Sequence, residues 1–101
     1  MIAMNKSPLF KLGQVVATPG ALEALEKAGQ SPWEFLSRHI AGDWGLVCDE
    51  DKALNDEALK DGSRILSAYV LKTGVKVWII TEATDDHGQR GASSLLLPDE
   101  Y

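Results

Sequence analysis

Cysteine is nearly absent from this 101-residue sequence, which contains Cys48 alone. One thiol cannot form a disulfide within the chain, and no histidines and cysteines stand at the spacing of a zinc site. A reducing compartment therefore suits the sequence, whereas a structural metal does not. We expect a cytoplasmic protein that uses no metal and no cofactor.

Long apolar runs are also missing, as are the short motifs of common enzyme classes. No segment has the pattern of a signal peptide or the length of a transmembrane helix. The sequence contains no glycine-rich phosphate loop, no Gly-x-Ser-x-Gly and no His-Glu-x-x-His. These absences argue against a membrane partner, a nucleotide-binding enzyme and the hydrolases that such motifs define.

Positive charge is in the minority, with ten lysines and arginines against fifteen aspartates and glutamates, which gives a net charge of −5. Binding to a nucleic acid backbone depends on clustered cations that neutralise many phosphates. Nucleic acid is therefore a disfavoured partner, although the composition does not exclude it.

The remaining composition, with 45% apolar residues, is that of one small globular domain. Residues 1–8 have no periodicity and are expected to form a flexible terminus, followed by a single compact domain over residues 9–101. Residues 9–17 are apolar and become β-branched towards their end. This pattern predicts a strand that is interrupted at Gly13.

Three helices are predicted from their end signals. Thr18-Pro19 and Ser31-Pro32 each place a hydroxyl N-cap before a proline, and Gly29 ends the first helix. Ser31 and Glu34 also have the spacing of a capping box. The third helix begins with the acids at residues 49–51 and ends at Gly62; we expect Leu54 and Ala58 to face inward and Asn55 outward.

The second helix leads into a distinctive corner, Gly42-Asp43-Trp44-Gly45. His39 shares a helix face with apolar residues and lies near the C-terminal end of the helix, where the dipole favours a protonated imidazole. The two glycines permit a tight turn in which Asp43 bonds locally and Trp44 packs back on the helices.

Residues 64–82 change to an alternating pattern that is typical of a β-hairpin. With Thr73-Gly74 as a two-residue turn, Leu66, Ala68 and Val70 share the core face with Val75, Val77, Ile79 and Thr81. Tyr69 then lies across from Trp78 on the other face. A one-residue slip in register would exchange these assignments. Residues 93–97 are a last strand before Pro98. We predict an α+β fold with three short helices on one face of an antiparallel sheet of three to four strands, the N-terminal strand being available as the fourth at the sheet edge.

Several phrases resemble a small bacterial family whose members are labelled plasmid-related proteins, sometimes under the name of a type I restriction subunit M. The distinctive phrase is Arg38-His39-Ile40-Ala41-Gly42-Asp43-Trp44-Gly45, and the resemblance extends from about Phe10 to the end of the chain. It implies a gene carried on plasmids or integrated elements and no established activity. The loop at residues 85–90 departs from the family pattern. A methyltransferase subunit is excluded, because 101 residues without a glycine-rich turn after the first strand cannot form its cofactor-binding domain.

We favour a non-enzymatic interaction or regulatory module that binds a protein partner or a second copy of itself. Exposed aromatic residues, acidic charge and the absence of catalytic motifs support this hypothesis. The candidate binding residues are Arg38, Asp43, Trp44, Ser67, Tyr69 and Trp78. Ordinary packing remains open for the aromatic residues, and turn formation remains open for Asp43.

The alternative is a metal-independent ribonuclease of the barnase/RelE type, suggested by helices followed by an antiparallel sheet. His39 and Glu82 would form the acid–base pair, and Arg64 or Arg90 would stabilise the phosphorane. A structural role for His39, bonded to a backbone carbonyl or to Asp43, explains that residue equally well.

Overall fold

The computed structural model describes residues 8–101, so the predicted flexible terminus lies, apart from Pro8, outside the described residues. The predicted α+β fold is confirmed. In chain order the elements are β1 (Gln14–Ala17), α1 (Pro19–Ala28), α2 (Pro32–Ile40), α3 (Asp49–Asp61), β2 (Ile65–Val70), β3 (Lys76–Thr81), β4 (Ala92–Leu96) and a short 3₁₀ helix (Pro98–Glu100).

The four strands form one sheet in the order β1-β4-β3-β2. Strands β2, β3 and β4 are antiparallel, as predicted, whereas β1 runs parallel to β4 at the sheet edge. The sheet is therefore mixed. The chain between β1 and β4 includes three helices and two strands, and a connection of that length permits parallel pairing.

Local capping signals place the helix ends where the sequence predicts them. The hydroxyls of Thr18 and Ser31 each accept a backbone N–H from the first turn of their helix. Gly29 and Gly62 end α1 and α3 in the left-handed conformation, with φ of 66° and 81°. Glu34, which was expected to complete a capping box, instead accepts a hydrogen bond from a neighbouring glutamine side chain.

The predicted inward face of α3 is wrong at two positions. Leu54 is 59% exposed, whereas Asn55 is buried. The Asn55 side chain donates to the carbonyl oxygen of Leu66 at 2.7 Å and accepts its N–H at 3.1 Å. Because β2 is an edge strand, these backbone groups have no neighbouring strand on that side. The carboxamide of Asn55 takes the place of that strand.

The hairpin register also differs from the prediction. The N–H of Leu71 donates to the carbonyl of Val75, and the N–H of Gly74 donates back to the carbonyl of Leu71, so the loop contains three residues instead of two. The additional residue pairs Tyr69 with Val77 and Ala68 with Trp78. The predicted faces of β2 are therefore wrong and those of β3 are right, because a slip of one residue reverses every side chain of one strand.

All three helices pack on one face of the sheet, as predicted, and this covered face carries the core. Side chains of α1 and α2 form one apolar cluster with inward residues of the strands, and Ala58 of α3 packs with Ile65 of β2 in a second. The strand residues on the covered face are Val15, Ala17, Ile65, Ser67, Tyr69, Val77, Ile79, Thr81, Ser93 and Leu95.

The opposite side of the sheet, which we name the open face, is unusually apolar for a surface away from the core. Two cross-strand rows cross its centre, one of Ala68, Trp78 and Leu96 and one of Leu66, Ile80, Ser94 and Val16. Antiparallel sheets with one solvated face normally place polar residues there. The open face therefore needs a functional explanation.

Candidate functional site

Three hydroxyl side chains stand at inward positions of three neighbouring strands. Ser67 lies on β2, Thr81 on β3 and Ser93 on β4, and the register places Thr81 directly opposite Ser93. All three are fully buried. Strand alternation thus creates a polar row on a covered face that is otherwise apolar.

His39, in the last turn of α2, reaches the hydroxyl row and is itself 0% exposed. Its Nδ1 atom lies 2.5 Å from the Ser67 hydroxyl, and its Nε2 atom lies 2.8 Å from the Thr81 hydroxyl. The Thr81 oxygen is 2.7 Å from that of Ser93, whose hydroxyl donates to the carbonyl of Leu12 at 2.8 Å. A continuous hydrogen-bonded chain therefore joins α2 to three strands and to the segment before β1.

The direction of every hydrogen bond follows from the Leu12 carbonyl, which can only accept. Ser93 uses its single hydrogen there, so Thr81 must donate to Ser93. Thr81 can then only accept from His39, which fixes a proton on Nε2 and leaves Nδ1 as the acceptor for Ser67. A neutral imidazole in a single tautomer fits all of these contacts.

The electrostatics of this buried cluster favour the neutral ring that the tautomer requires. Burial, with a smaller contribution from the charge of Arg90, lowers the pKa of His39 from 6.5 to about 4. The expectation that the helix dipole would favour the protonated form is wrong, because removal from water outweighs the dipole. A protonated ring would also place a hydrogen on Nδ1 and oblige the Ser67 hydroxyl to turn away.

Aromatic rings surround the imidazole. Phe10 lies edge-on to His39 with ring centroids 5.1 Å apart, and Trp44 lies 5.8 Å away in a similar orientation. The indole N–H of Trp44 donates to Asp56 of α3 at 3.1 Å, and the ring is 4% exposed. Trp44 thus packs back on the helices, as predicted, and is part of the core.

The residues of the ribonuclease alternative are not brought together. His39 is sealed on the covered face with both ring nitrogens bonded. Glu82 follows the inward-facing Thr81, and Arg64 precedes the inward-facing Ile65, so alternation directs both towards the open face. Both residues are exposed there. The arrangement offers no acid–base pair around one phosphate.

The corner after α2 holds the other predicted binding residues. Arg38 Nε lies 2.7 Å from Asp43 Oδ2, and its guanidinium stands 4.6 Å from the centre of the Tyr69 ring. Hydrogen bonding from Arg38 lowers the pKa of Asp43, whose other oxygen accepts the N–H of Gly45. The Tyr69 hydroxyl donates to the carbonyl of Asp43 at 2.7 Å, and burial raises the pKa of Tyr69 to about 12. Ser67 and Tyr69 are buried, whereas Arg38 and Asp43 remain accessible.

Trp78 is the predicted binding residue that belongs to the open face. Its ring contacts Tyr101 edge-on at 5.7 Å, and the hydroxyl of Tyr101 accepts a hydrogen bond from Arg64. Tyr101 itself is 67% exposed. Trp78 and Tyr69, which were predicted to lie side by side, are therefore on opposite faces.

Thr81, Ser93 and Asn55 are important residues that were not among the predicted site residues, although Thr81 was predicted to face the core. A signal exists for the first two, since each is a hydroxyl residue two positions from an inward aliphatic residue in a strand pattern, Ile79 or Leu95. No comparable signal marks Asn55. Its partner, the backbone of Leu66, becomes visible only once the sheet order is known.

Comparisons of the chain with protein family models, with curated proteins and with solved structures find no match in any of the three. Over residues 8–101, no group of three metal-ligating side chains could hold an ion, and no helix is both long and apolar enough to span a bilayer.

Proposed function

We propose that this protein is a non-enzymatic interaction module that associates with a second copy of itself through the open face of its sheet. The observation that carries the proposal is the pair of apolar cross-strand rows centred on Trp78 and Ile80, on the face that the three helices do not cover. Exposed apolar patches rimmed by polar residues are typical of protein interfaces.

The exposure of side chains around the two rows also supports association through the open face. Val16 and Val70, at opposite edges of the open face, are 40% and 45% exposed, and Tyr101 beside Trp78 is more exposed still. Burying such side chains contributes about 25 cal/mol for each Å² of apolar surface removed from water. Ala68 and Leu96 are already buried, so an apolar partner surface gains free energy at the half-buried Leu66, Trp78 and Ile80 and at the exposed edge residues.

The distribution of charge favours a second copy as the partner. Lys76 and Glu82 mark the two ends of β3 and, by alternation, share the open face with Trp78. Neither forms an ion pair within residues 8–101. A two-fold axis in the interface, perpendicular to β3, reverses the strand direction and sets Lys76 of one copy against Glu82 of the other. The face is complementary to itself in this orientation.

The size of the face sets the expected affinity. Four strands about 4.8 Å apart, of four to six residues at roughly 3.4 Å per residue, span a projected area of roughly 300–400 Å². Stable complexes commonly bury about 800 Å² on each partner. The dimer should therefore be weak, with a Kd in the micromolar range. We extend the proposal to a cytoplasmic accessory protein of a plasmid or integrated element, in keeping with the sequence resemblance.

Sedimentation equilibrium between about 5 and 500 µM tests the proposal, since this range brackets a micromolar Kd. The wild type should shift from monomer to dimer, and Trp78→Ala should weaken the dimer by about tenfold or more, as expected for a central aromatic residue. Trp33→Ala is the matched control, because Trp33 is 61% exposed on α2, away from the open face. A wild type that stays monomeric throughout would exclude self-association and leave a different protein as the partner.

The charges test the orientation. Lys76→Glu and Glu82→Lys should each weaken the dimer, since each places like charges together twice across a two-fold axis. The double variant restores opposite charges and should recover wild-type association. A double variant that is weaker than either single variant contradicts the antiparallel arrangement.

A further inference from the structure

A groove of about 770 Å³ lies at the end of the sheet opposite the β2–β3 loop. Its walls are the segment before β1, the C-terminal end of α3 and the loop between β3 and β4. Pockets that hold small molecules commonly have volumes of about 300–1,000 Å³. No residue of the open face lines the groove, although Arg90 bonds to the backbone of Glu82, so the role of the groove is a separate question.

The charges on these walls run against the charge of the whole chain. Lys11, Lys60 and Arg90 line the groove together with one acid, Asp61, although the protein carries a net charge of −5. The carboxylate of Asp61 accepts the N–H of Ser63 at 2.9 Å and keeps its negative charge, so the three cations outnumber the acid by two. Within residues 8–101 neither lysine forms an ion pair. A local positive potential remains at the groove.

Arg90 is the fixed part of this potential, because it is 9% exposed and held rigidly. Its terminal nitrogens donate to the carbonyl oxygens of Ser63, Glu82 and Ala58 at 2.6, 2.9 and 2.9 Å. These neutral acceptors satisfy hydrogen bonds without cancelling the charge, and no carboxylate of residues 8–101 pairs with the guanidinium. The nearby carboxylate of Asp61 acts on this charge without forming an ion pair. A largely buried cation with no directly paired carboxylate favours an anionic ligand.

One side of the groove is apolar. Phe10 and Leu59 line it, both half-buried, and the Arg90 guanidinium stands 5.7 Å from the centre of the Phe10 ring. Sites for small molecules typically combine such an apolar wall with a few fixed polar groups. A ligand with a flat ring and one negatively charged substituent matches both parts of the wall.

We propose that this groove binds a small aromatic anion, a carboxylate or a phosphate monoester. Its ring lies against Phe10 and Leu59, and its charged group lies beside Lys11, Lys60 and Arg90. The inference is independent of self-association, because no side chain of the open face lines the groove.

Three probes with the same ring system test this site by ¹H–¹⁵N NMR titration: 2-naphthoate, 2-naphthyl phosphate and the uncharged 2-naphthylmethanol. The two anions should saturate with shifts at the amides of Gly13, Gly62, Thr84 and Gln89, and the alcohol should bind at least about fivefold more weakly. The stronger of the two anions identifies which charged group the site prefers.

Charge reversal locates the binding. Lys60→Glu should weaken the anions by about tenfold at low salt and leave the alcohol unchanged. Lys72→Glu makes the same change in net charge on the β2–β3 loop, at the far end of the sheet, and should have no effect. Three outcomes would each overturn the proposal. They are equal binding of the alcohol and the anions, chemical shift changes centred on Trp78 instead of the groove, and equal losses of affinity in the two lysine variants.

Discussion

The Nε2 atom of His39 lies 2.8 Å from the hydroxyl oxygen of Thr81, and solvent reaches neither side chain. This contact joins the last turn of α2 to the end of β3, two elements separated by more than thirty residues of chain. A buried polar pair is stable only while every donor and acceptor is satisfied. The fold should therefore respond strongly to a change in either residue.

The first prediction concerns pH. The pKa of His39 is about 4 in the folded state and near 6.5 when the chain is unfolded, so the unfolded state takes up a proton first as the pH falls. Protonation therefore favours unfolding over this interval. Between about pH 7.5 and pH 5 the free energy of unfolding should fall by about 2 kcal/mol. Urea titrations at a series of pH values measure it.

Two variants distinguish the contribution of His39 to the pH dependence of stability from that of other titratable groups. His39→Gln removes the titrating ring and should flatten the pH dependence in this window, whatever its overall stability. His87→Gln, in the exposed loop between β3 and β4, should retain the wild-type slope. Hydrogen bonds lower the pKa of Asp43, Asp61 and Glu100, so the stability that these groups contribute is lost below about pH 4.5. An unchanged slope in His39→Gln contradicts the assignment.

The second prediction tests the direction of the hydrogen-bonded chain. Thr81→Val keeps the shape of the side chain and removes the oxygen that accepts the His39 N–H. In either tautomer Nε2 then has no partner, and an unsatisfied buried donor or acceptor costs about 1–3 kcal/mol, so the variant should lose that much unfolding free energy. Thr73→Val, in the exposed β2–β3 loop, is the control and should stay within about 0.5 kcal/mol of the wild type.

NMR provides a further readout of the same variant. In the wild type the imidazole should show the ¹⁵N shifts of a neutral ring with its proton on Nε2. In Thr81→Val the acceptor for the Nε2 proton is gone. The proton should therefore move to Nδ1, where the Ser67 oxygen can accept it. A proton on Nδ1 already in the wild type would reverse the direction of the chain and contradict our assignment.

Sequence patterns identified the helices of this protein because their ends are determined locally. The side chains of Thr18 and Ser31 cap the N-termini of α1 and α2, and Gly29 and Gly62 end α1 and α3. All four residues act through contacts within a few residues of the chain. The face of β2 could not be obtained in this way, since one residue in the loop before Val75 decides it. Because of this additional loop residue, Tyr69 lies on the covered face of the sheet and Trp78 lies on the open face.

The candidate site was partly foreseen. The importance of His39 and of the Asp43-Trp44 corner followed from helix geometry, but the partners of the imidazole come from strands far along the chain. Parallel pairing of β1 brings Leu12 to Ser93, and no local pattern predicts it. Contacts that depend on sheet order and register are long-range properties, and so the chemistry of His39 became clear only in three dimensions.

The last prediction compares two glycines with nearly the same backbone conformation. Gly45 and Gly88 have φ of 73° and 75°. A Cβ on Gly45 would lie 1.9 Å from the carbonyl oxygen of Ala68 and 2.8 Å from the Tyr69 ring, whereas a Cβ on Gly88 meets nothing within 4 Å. Gly88→Ala should therefore lose only about 1 kcal/mol from the left-handed conformation. Gly45→Ala adds a collision with backbone and should lose at least about 3 kcal/mol.

Denaturant unfolding of the two alanine variants, side by side, checks this difference. The N–H of Leu46 donates to the carbonyl oxygen of Ala68 at 2.7 Å, so the corner around Gly45 pairs with the outer edge of β2. Displacing it should also expose the amide of Leu46 to hydrogen exchange in Gly45→Ala and leave that amide protected in Gly88→Ala. Equal stability losses in the two variants would mean that the corner can move away from β2, and that its contact with the sheet is not what requires glycine at position 45.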